Sequence, residues 1–417
     1  MPNYNVTLNI TGVGSLSIGD QLDFLTVSSG SLDGYDLATP SQLSMQFLID
    51  SSDQTTNFWL GRPIQVQVKP SDTATTTDLF FGWVDLVQSD AIDPNGAQAL
   101  ITLSASGSLS RLGSFQVGGD ATSFFWGYVT ERNRVMGGVG AEIYTTTWQN
   151  FPPAVSWDEI DNLLTWINID QIVYPVNVYY QPNVAPFGFY LEAYTAGATD
   201  ALSYLQGLAS GTQAILWEAK NEAAVNYTAF AHWSTSVASN LDVATCVLAD
   251  SLQATADMSN IYNIVNYSNS VATVTKTDIN SIYDYSSRSV DVTTEVSSSI
   301  DLATLASNRV TALSQPKIKL NSLTVDLDLV TAATRAKLFV TGAPQFWNLQ
   351  NVPDLFGGDQ TYFQSGTSLT LNYRHAEVEM AVQPDSMLRG LTLWNQVSFA
   401  NLWNNYLTST TTWNDVE

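Results

Sequence analysis

Three pairs of carboxylates are spaced closely enough to act on one bond: Asp158/Glu159, Asp326/Asp328 and Glu377/Glu379. A glycosidase needs two such groups, one to protonate the leaving oxygen and one to attack or to activate water. The first pair falls inside Ser156-Trp-Asp-Glu159, a capping box in which Glu159 closes a helix start. The other two pairs lie two residues apart in alternating runs, so each pair shares one strand face. A solvated or lumen-facing strand edge explains them better than a reactive centre. The histidines, His232 and His375, sit in the strand-like aromatic runs Ala231-His-Trp233 and Tyr373-Arg-His375 and read as structural. No His-x-His, Cys-x-x-Cys or His-Glu-x-x-His spacing occurs, and neither do the P-loop and Gly-x-Ser-x-Gly patterns. No catalytic residue, metal or cofactor is therefore expected, and the chain is not read as an enzyme.

The elements that carry these residues are mostly strands. The chain has 417 residues, enough for two to four domains with their own cores. Its 12 Trp, 18 Tyr and 17 Phe supply large buried areas, which excludes a disordered chain. With 39 acidic against 15 basic residues the formal charge is −24, which repels phosphate backbones and anionic membranes. Specific nucleic-acid binding is excluded on that ground. Only 13% of residues are charged, so the surface must be largely Ser, Thr, Asn and Gln, as suits strands and assembly interfaces. The lone Cys246, within Ala244-Thr-Cys-Val-Leu248, reads as a small buried hydrophobe. No signal peptide and no 18-residue apolar run is seen, so assembly in a cytoplasm without a membrane span is expected.

Residues 1–117 alternate in Tyr4–Ile10, Leu43–Phe47, Ile64–Val68, Leu79–Val84 and Ala99–Ser104, as in a small barrel or sandwich. Residues 118–225 mix signals: a helix after Ser156, another from Ala201 to Leu208 capped by Thr199, and Pro-punctuated loops. Residues 214–233 read as a hairpin. The stretch 226–330 is an α+β module, and 331–390 is again β-rich, with strands at Leu338–Thr341, Leu369–Tyr373 and Ala376–Val382. A long loop, 342–366, separates the first two of these. The tail 391–417 repeats Leu393-Trp-Asn395, Leu402-Trp-Asn404 and Thr412-Trp-Asn414, whose Trp394, Trp403 and Trp413 are expected to dock on another subunit or partner.

The central module has the clearest order. Ile261–Tyr267 and Val271–Val274 read as strands, Ser281–Arg288 as a turn, and Ser289–Val296 as an alternating strand. A helix follows with Leu302, Leu305, Ala306, Arg309, Val310 and Leu313 on one face, capped by Ser298 or Ser299 and stopped by Pro316. Asn263, Ser281-Ile282, Tyr285 through Arg288, Val290 through Val296, Ile300 to Leu313 and Pro316 together resemble the tail-hub, or minor tail, proteins of long-tailed bacteriophages of the actinobacterial type. That family usually has Tyr-Gly or Phe-Gly before its arginine, where this chain has Tyr285-Ser-Ser-Arg288. The resemblance extends to Gly61–Val66, Phe81–Val84 and Leu109–Leu112 in the first segment.

The resemblance implies a β-rich α+β fold: two tube-like β-barrel domains, residues 1–117 and 331–390, with the mixed domain 118–225 inserted and projecting outward. The second barrel is discontinuous and shares strands with 226–330. It further implies a homotrimeric structural virion protein, the hub at the distal tail end, lining the DNA channel. Its implied partners are the distal tail or tail tube protein, the tape-measure protein and tip or receptor-binding proteins. Channel-facing acids are then expected among Glu377, Glu379, Asp326 and Asp328, where like charge keeps DNA from sticking. The alternative is a cell-wall glycoside hydrolase or carbohydrate-binding tail protein built on the same acidic pairs and tryptophans.

Overall fold

A computed structural model describes residues 2–30, 38–50, 59–92, 98–113, 116–117, 150–151, 177–180, 194–195, 199–228, 238–248, 250–256, 261–294, 296, 298–316, 318–340, 345–354 and 358–384. The expected helix after Ser156, His232 and the three tail tryptophans lie outside the described residues. In the N-terminal part the strands are β1 (Tyr4–Ile10), β2 (Gly14–Ser17), β3 (Leu22–Gly30), β4 (Gln42–Asp50), β5 (Pro63–Pro70), β6 (Thr77–Ala91) and β7 (Gln98–Gly107), followed by the short helix α1 (Ser108–Leu112). Then come β8 (Gln116–Val117), β9 (Asn150–Phe151), β10 (Asn177–Tyr180), β11 (Tyr194–Thr195), β12 (Thr199–Asp200), α2 (Ala201–Thr212), β13 (Ile215–Glu218) and β14 (Ala224–Thr228). The hairpin expected at 214–233 is thus β13–β14, paired antiparallel, with β10 added parallel to β14. Helix α2 begins at Ala201 as the sequence suggests and runs on to Thr212, but its cap is Asp200, which accepts from the Ser203 amide at 2.7 Å.

The remaining elements are β15 (Ser239–Asp242), α3 (Val243–Cys246), β16 (Gln253–Ala256), β17 (Ile264–Ser268), β18 (Thr273–Thr277), α4 (Ile279–Tyr285), β19 (Ser289–Thr293), α5 (Ser299–Leu313), β20 (Ile318–Asp326), α6 (Ala332–Phe339), β21 (Gln345–Gln350), β22 (Gln360–Leu371) and β23 (Ala376–Pro384). Cys246 is buried in α3. Burial and the neighbouring Asp242 charge push its thiol up to about 11.

Three expectations are corrected. The turn at Ser281–Arg288 is mostly helix α4, capped by Asp278 through the Ser281 amide at 3.0 Å. Its face carries exposed Ile279 and Tyr283, so no amphipathic period announces it. Residues Leu338-Phe339 end helix α6, started by Thr331 accepting from the Thr334 amide, where a strand had been expected. Alanines in its first turns outweigh the aromatic and branched residues at its end. The presumed loop 342–366 contains β21 and the first half of β22, which pair with each other.

One sheet takes in both β-rich ends of the chain. Its strand order is β16-β20-β23-β22-β3-β4-β7-β6-β5-β1-β2, with β21 pairing β22 and β15 pairing β21, thirteen strands among the described residues. The joint is β22–β3, antiparallel with Leu369 opposite Val27. This hydrogen-bonded path closes on itself nowhere among the described strands; it runs open from β16 to β2. The three edge strands, β2, β15 and β16, are each only four residues long, which limits unpaired edge. Along the inner face Val325, Val378, Leu369, Val27, Leu43 and Ala105 stand opposite one another from β20 to β7. All are buried in a single core that also takes Tyr4, Phe47, Trp347, Leu338 and Phe339. Each buried Val or Leu there contributes about 1.5–3 kcal/mol.

A second core lies beside it. Leu302, Leu305, Ala306 and Val310 of α5 cover Val265, Tyr267 and Val292 of the three-stranded sheet β18-β17-β19, and Leu205 and Leu208 of α2 join them. The α5 face read from sequence is the buried one, and Ser298 caps it, accepting from the Asp301 amide at 3.3 Å.

Candidate functional site

The face opposite the main core is polar and continuous across six strands. One cross-strand row runs Asp326, Glu377, Thr370, Thr26, Ser44, Ser104; the next runs Thr324, Glu379, Ser368, Ser28, Gln42, Ser106. Every one of these residues is half-buried or exposed, and none is basic. Strands spaced about 4.8 Å apart make this band about 24 Å wide. It arises because period-two alternation puts apolar residues on the core face and leaves hydroxyls and amides on the other. Such a surface holds water, and its carboxylate end repels phosphate.

The expected acidic residues meet at one end of this band. Asp326 and Glu377 are cross-strand neighbours, and Glu379 follows on the same face. Asp328 departs from the expectation of a shared strand face. Strand β20 ends at Asp326, and the following turn, where the Asp328 amide donates to Asp326 Oδ1 at 2.9 Å, folds the Asp328 side chain inward to 1% exposure. There its carboxylate accepts from the Tyr4 hydroxyl at 2.6 Å and pairs with His375 Nδ1 at 3.0 Å. His375 Nε2 lies 3.7 Å from Glu377. Partial burial pulls the imidazole pKa down, but the Asp328 bond and the charges of Asp326, Asp328 and Glu377 outweigh it, leaving the pKa raised. Burial, then the bond to Asp328, pushes the Tyr4 hydroxyl up as well. Potential ligand atoms of Asp326, Asp328 and His375 fall within 4.8 Å of one another. Both Asp328 oxygens are already satisfied by Tyr4 and His375, so the geometry is that of an ion pair braced by a hydroxyl, and a metal would have to displace it.

Behind Tyr4 the buried Arg335 of α6 donates to Leu327 O at 2.8 Å and to both Asp72 oxygens at 2.8 and 2.9 Å. Its guanidinium also lies over the Tyr4 ring, 5.9 Å from the centroid.

A second polar cluster, which the sequence did not signal, pins the hairpin β13–β14 to the main sheet. Glu218, 3% exposed, accepts from the Ser41 amide at 2.8 Å and from the Leu109 amide at the start of α1. Gly107 is needed there because a Cβ would fall on the Glu218 carboxylate. Buried Lys220 donates to Ser41 Oγ at 3.0 Å. Burial lowers its pKa to about 8, opposed by the Glu218 charge.

The residues behind the family resemblance are knotted together. Fully buried Asn263 donates to Ser281 Oγ at 3.2 Å and to Ser286 O at 2.8 Å, and accepts from the Arg288 amide at 2.8 Å. Ser281 in turn donates to Ser314 O, tying α4 to the end of α5. Ser286 takes φ 64° and ψ 166°, a region nearly reserved for glycine.

The structure is similar to that of the tail protein from Neisseria meningitidis MC58, over 93% of this chain and 98% of that one, with a TM-score of 0.57 and 11% identity. It is also similar to the 43 kDa tail protein of prophage MuSo2 from Shewanella oneidensis, over 92% of this chain and 99% of that one, with a TM-score of 0.55 and 10% identity. No protein-family model matches the chain, and neither does any curated protein. What is shared at such identities is the fold.

Proposed function

We propose that this chain is a structural, non-enzymatic component of a bacteriophage tail, the hub at its distal end, with the polar face of the main sheet turned to the DNA channel. The observation that carries this reading is the pair of cross-strand rows, free of basic residues and ending in Asp326, Glu377 and Glu379. Asp328 supports that end from beneath. DNA sliding past such a wall meets hydroxyls, amides and like charge, none of which forms a lasting phosphate contact. The likeness in fold to two tail proteins supports the same role. In this reading the two β-rich ends, 1–117 and 331–390, are tube-wall segments, and the 118–225 region points outward. Three copies with two wall segments each would match a sixfold tail tube above. The partners would be the distal tail or tail tube protein, the tape-measure protein, and tip or receptor-binding proteins. Trp394, Trp403 and Trp413 would dock on one of them or on a second copy.

The test replaces Asp326, Glu377 and Glu379 by Asn, Gln and Gln in the phage. Tails should assemble normally while genome ejection slows. Ejection at the unaltered rate from normally assembled particles would contradict the channel-facing assignment.

A further inference from the structure

We propose that His375 is a proton-operated clasp: protonated, it holds the β22–β23 hairpin to the turn after β20 and, through Asp328, to the N-terminal strand β1. This inference does not depend on the tail reading. Three separate stretches converge on the ring. The hairpin is closed by Asn372, whose side chain accepts from the Arg374 and His375 amides at 2.9 Å each. The turn supplies Asp326 and Asp328, and the Leu327 amide donates to Ala376 O at 2.9 Å. Strand β1 supplies the Tyr4 hydroxyl on Asp328, and its Tyr4 amide donates to Tyr373 O at 2.8 Å.

The charges facing His375 are Asp326 and Asp328 from the turn and Glu377 from β23; Arg374 is exposed on the hairpin itself. Arg335, from α6, is spent on Asp72 and on the Leu327 and Val330 carbonyls at the far side of Tyr4. The imidazolium thus faces three carboxylates, two of which, Asp326 and Glu377, stand directly opposite across the β20–β23 ladder. Like charges so placed repel. Protonation offsets that repulsion, and loss of the proton restores it. Because the folded-state pKa of His375 is raised, the clasp's contribution is complete below the ordinary histidine value of about 6.5 and is lost as pH rises through the folded value. The ring is 45% exposed, so bulk protons reach it directly. Opening would free the hairpin tip and the Tyr4 end of β1, the rest of which stays paired to β5.

The chain has two histidines, so two ring resonances report their titration, and the one missing from His375→Gln is assigned to His375. Its midpoint should lie above about 6.5 and should fall in Asp328→Asn. Hydrogen exchange, corrected for its intrinsic pH dependence, should show the Tyr4 amide and residues 371–376 less protected at about pH 8.5 than at about pH 6. In His375→Gln, an exposed site where the fold is preserved, that difference should vanish. An unshifted midpoint, or a pH-dependent loss of protection that persists in His375→Gln, would overturn the clasp. So would protection lost on adding a chelator at constant pH, because a cation would then be bridging the carboxylates.

Discussion

Ser286 occupies a backbone conformation that glycine adopts freely and other residues adopt at a cost of about 1–3 kcal/mol. The Asn263 side chain holds it there by bonding the Ser286 carbonyl. Ser286 is exposed, so Ser286→Gly removes no packing. After the extra chain entropy glycine loses on folding, it should stabilise the protein by about 1 kcal/mol, read as a raised urea midpoint. Asn263→Ala should do the opposite and cost about 2–4 kcal/mol, because three hydrogen bonds in a fully buried site lose their partner. An Asn263→Ala variant as stable as the parent would show that the knot is dispensable. In the sequence these residues stood out only through the resemblance that named Asn263, Ser281 and Arg288; by type alone Asn263 does not differ from Asn260, Asn266, Asn269 and Asn280 around it. The strain at Ser286 was not visible in the sequence, because serine at a turn gives no sign of its backbone angles. The inward turn of Asp328 was not visible at all, since it depends on Tyr4, 324 residues away in the chain.

Among the elements, α5 and the strands of clean alternation were legible, because a buried face of either period imprints itself on the sequence. Helix α4 was not, since its exposed Ile279 and Tyr283 erase the contrast between its faces. Helix α6 was hidden by Leu338-Phe339, which a strand would also bury. The docking of β13–β14 was likewise hidden, since Glu218 and Lys220 look like ordinary surface residues of a hairpin. Its energetics are asymmetric. Glu218→Ala should cost about 3–5 kcal/mol, leaving two buried amides without their acceptor and the buried Lys220 charge without the carboxylate that offsets it. Lys220→Met should cost less, about 1–3 kcal/mol, since Glu218 keeps its two amide donors and loses only the nearby cation, and Ser41 Oγ loses one donor. The folded-state pKa of Lys220 is lowered to about 8, so the fold disfavours its charged form and stability should rise as pH increases from about 8 toward the ordinary lysine value. Denaturant midpoints of the two variants, taken across that range, check both statements. A flat profile in the parent would contradict the second.

At the scale of the molecule, alternation announced strands at both ends of the chain but could not announce that β3 and β22 pair, because register across more than 300 residues leaves no local mark. That joint is what makes one core and one continuous polar face from the two ends. The ladder brings three of the 39 acidic residues, Asp326, Glu377 and Glu379, together at one end of that face. A wall of this kind predicts no hydrolysis: purified protein incubated with host cell wall should release no sugar, and release abolished by Glu377→Gln would favour a glycosidase instead. The most direct measurement is a particle image of the phage tail at a resolution that separates strands. The expected result is this chain in a ring at the distal end, with Thr26, Ser44, Ser104, Thr370 and Glu377 facing the lumen. Finding the chain absent from the tail, or that face turned outward, would contradict it.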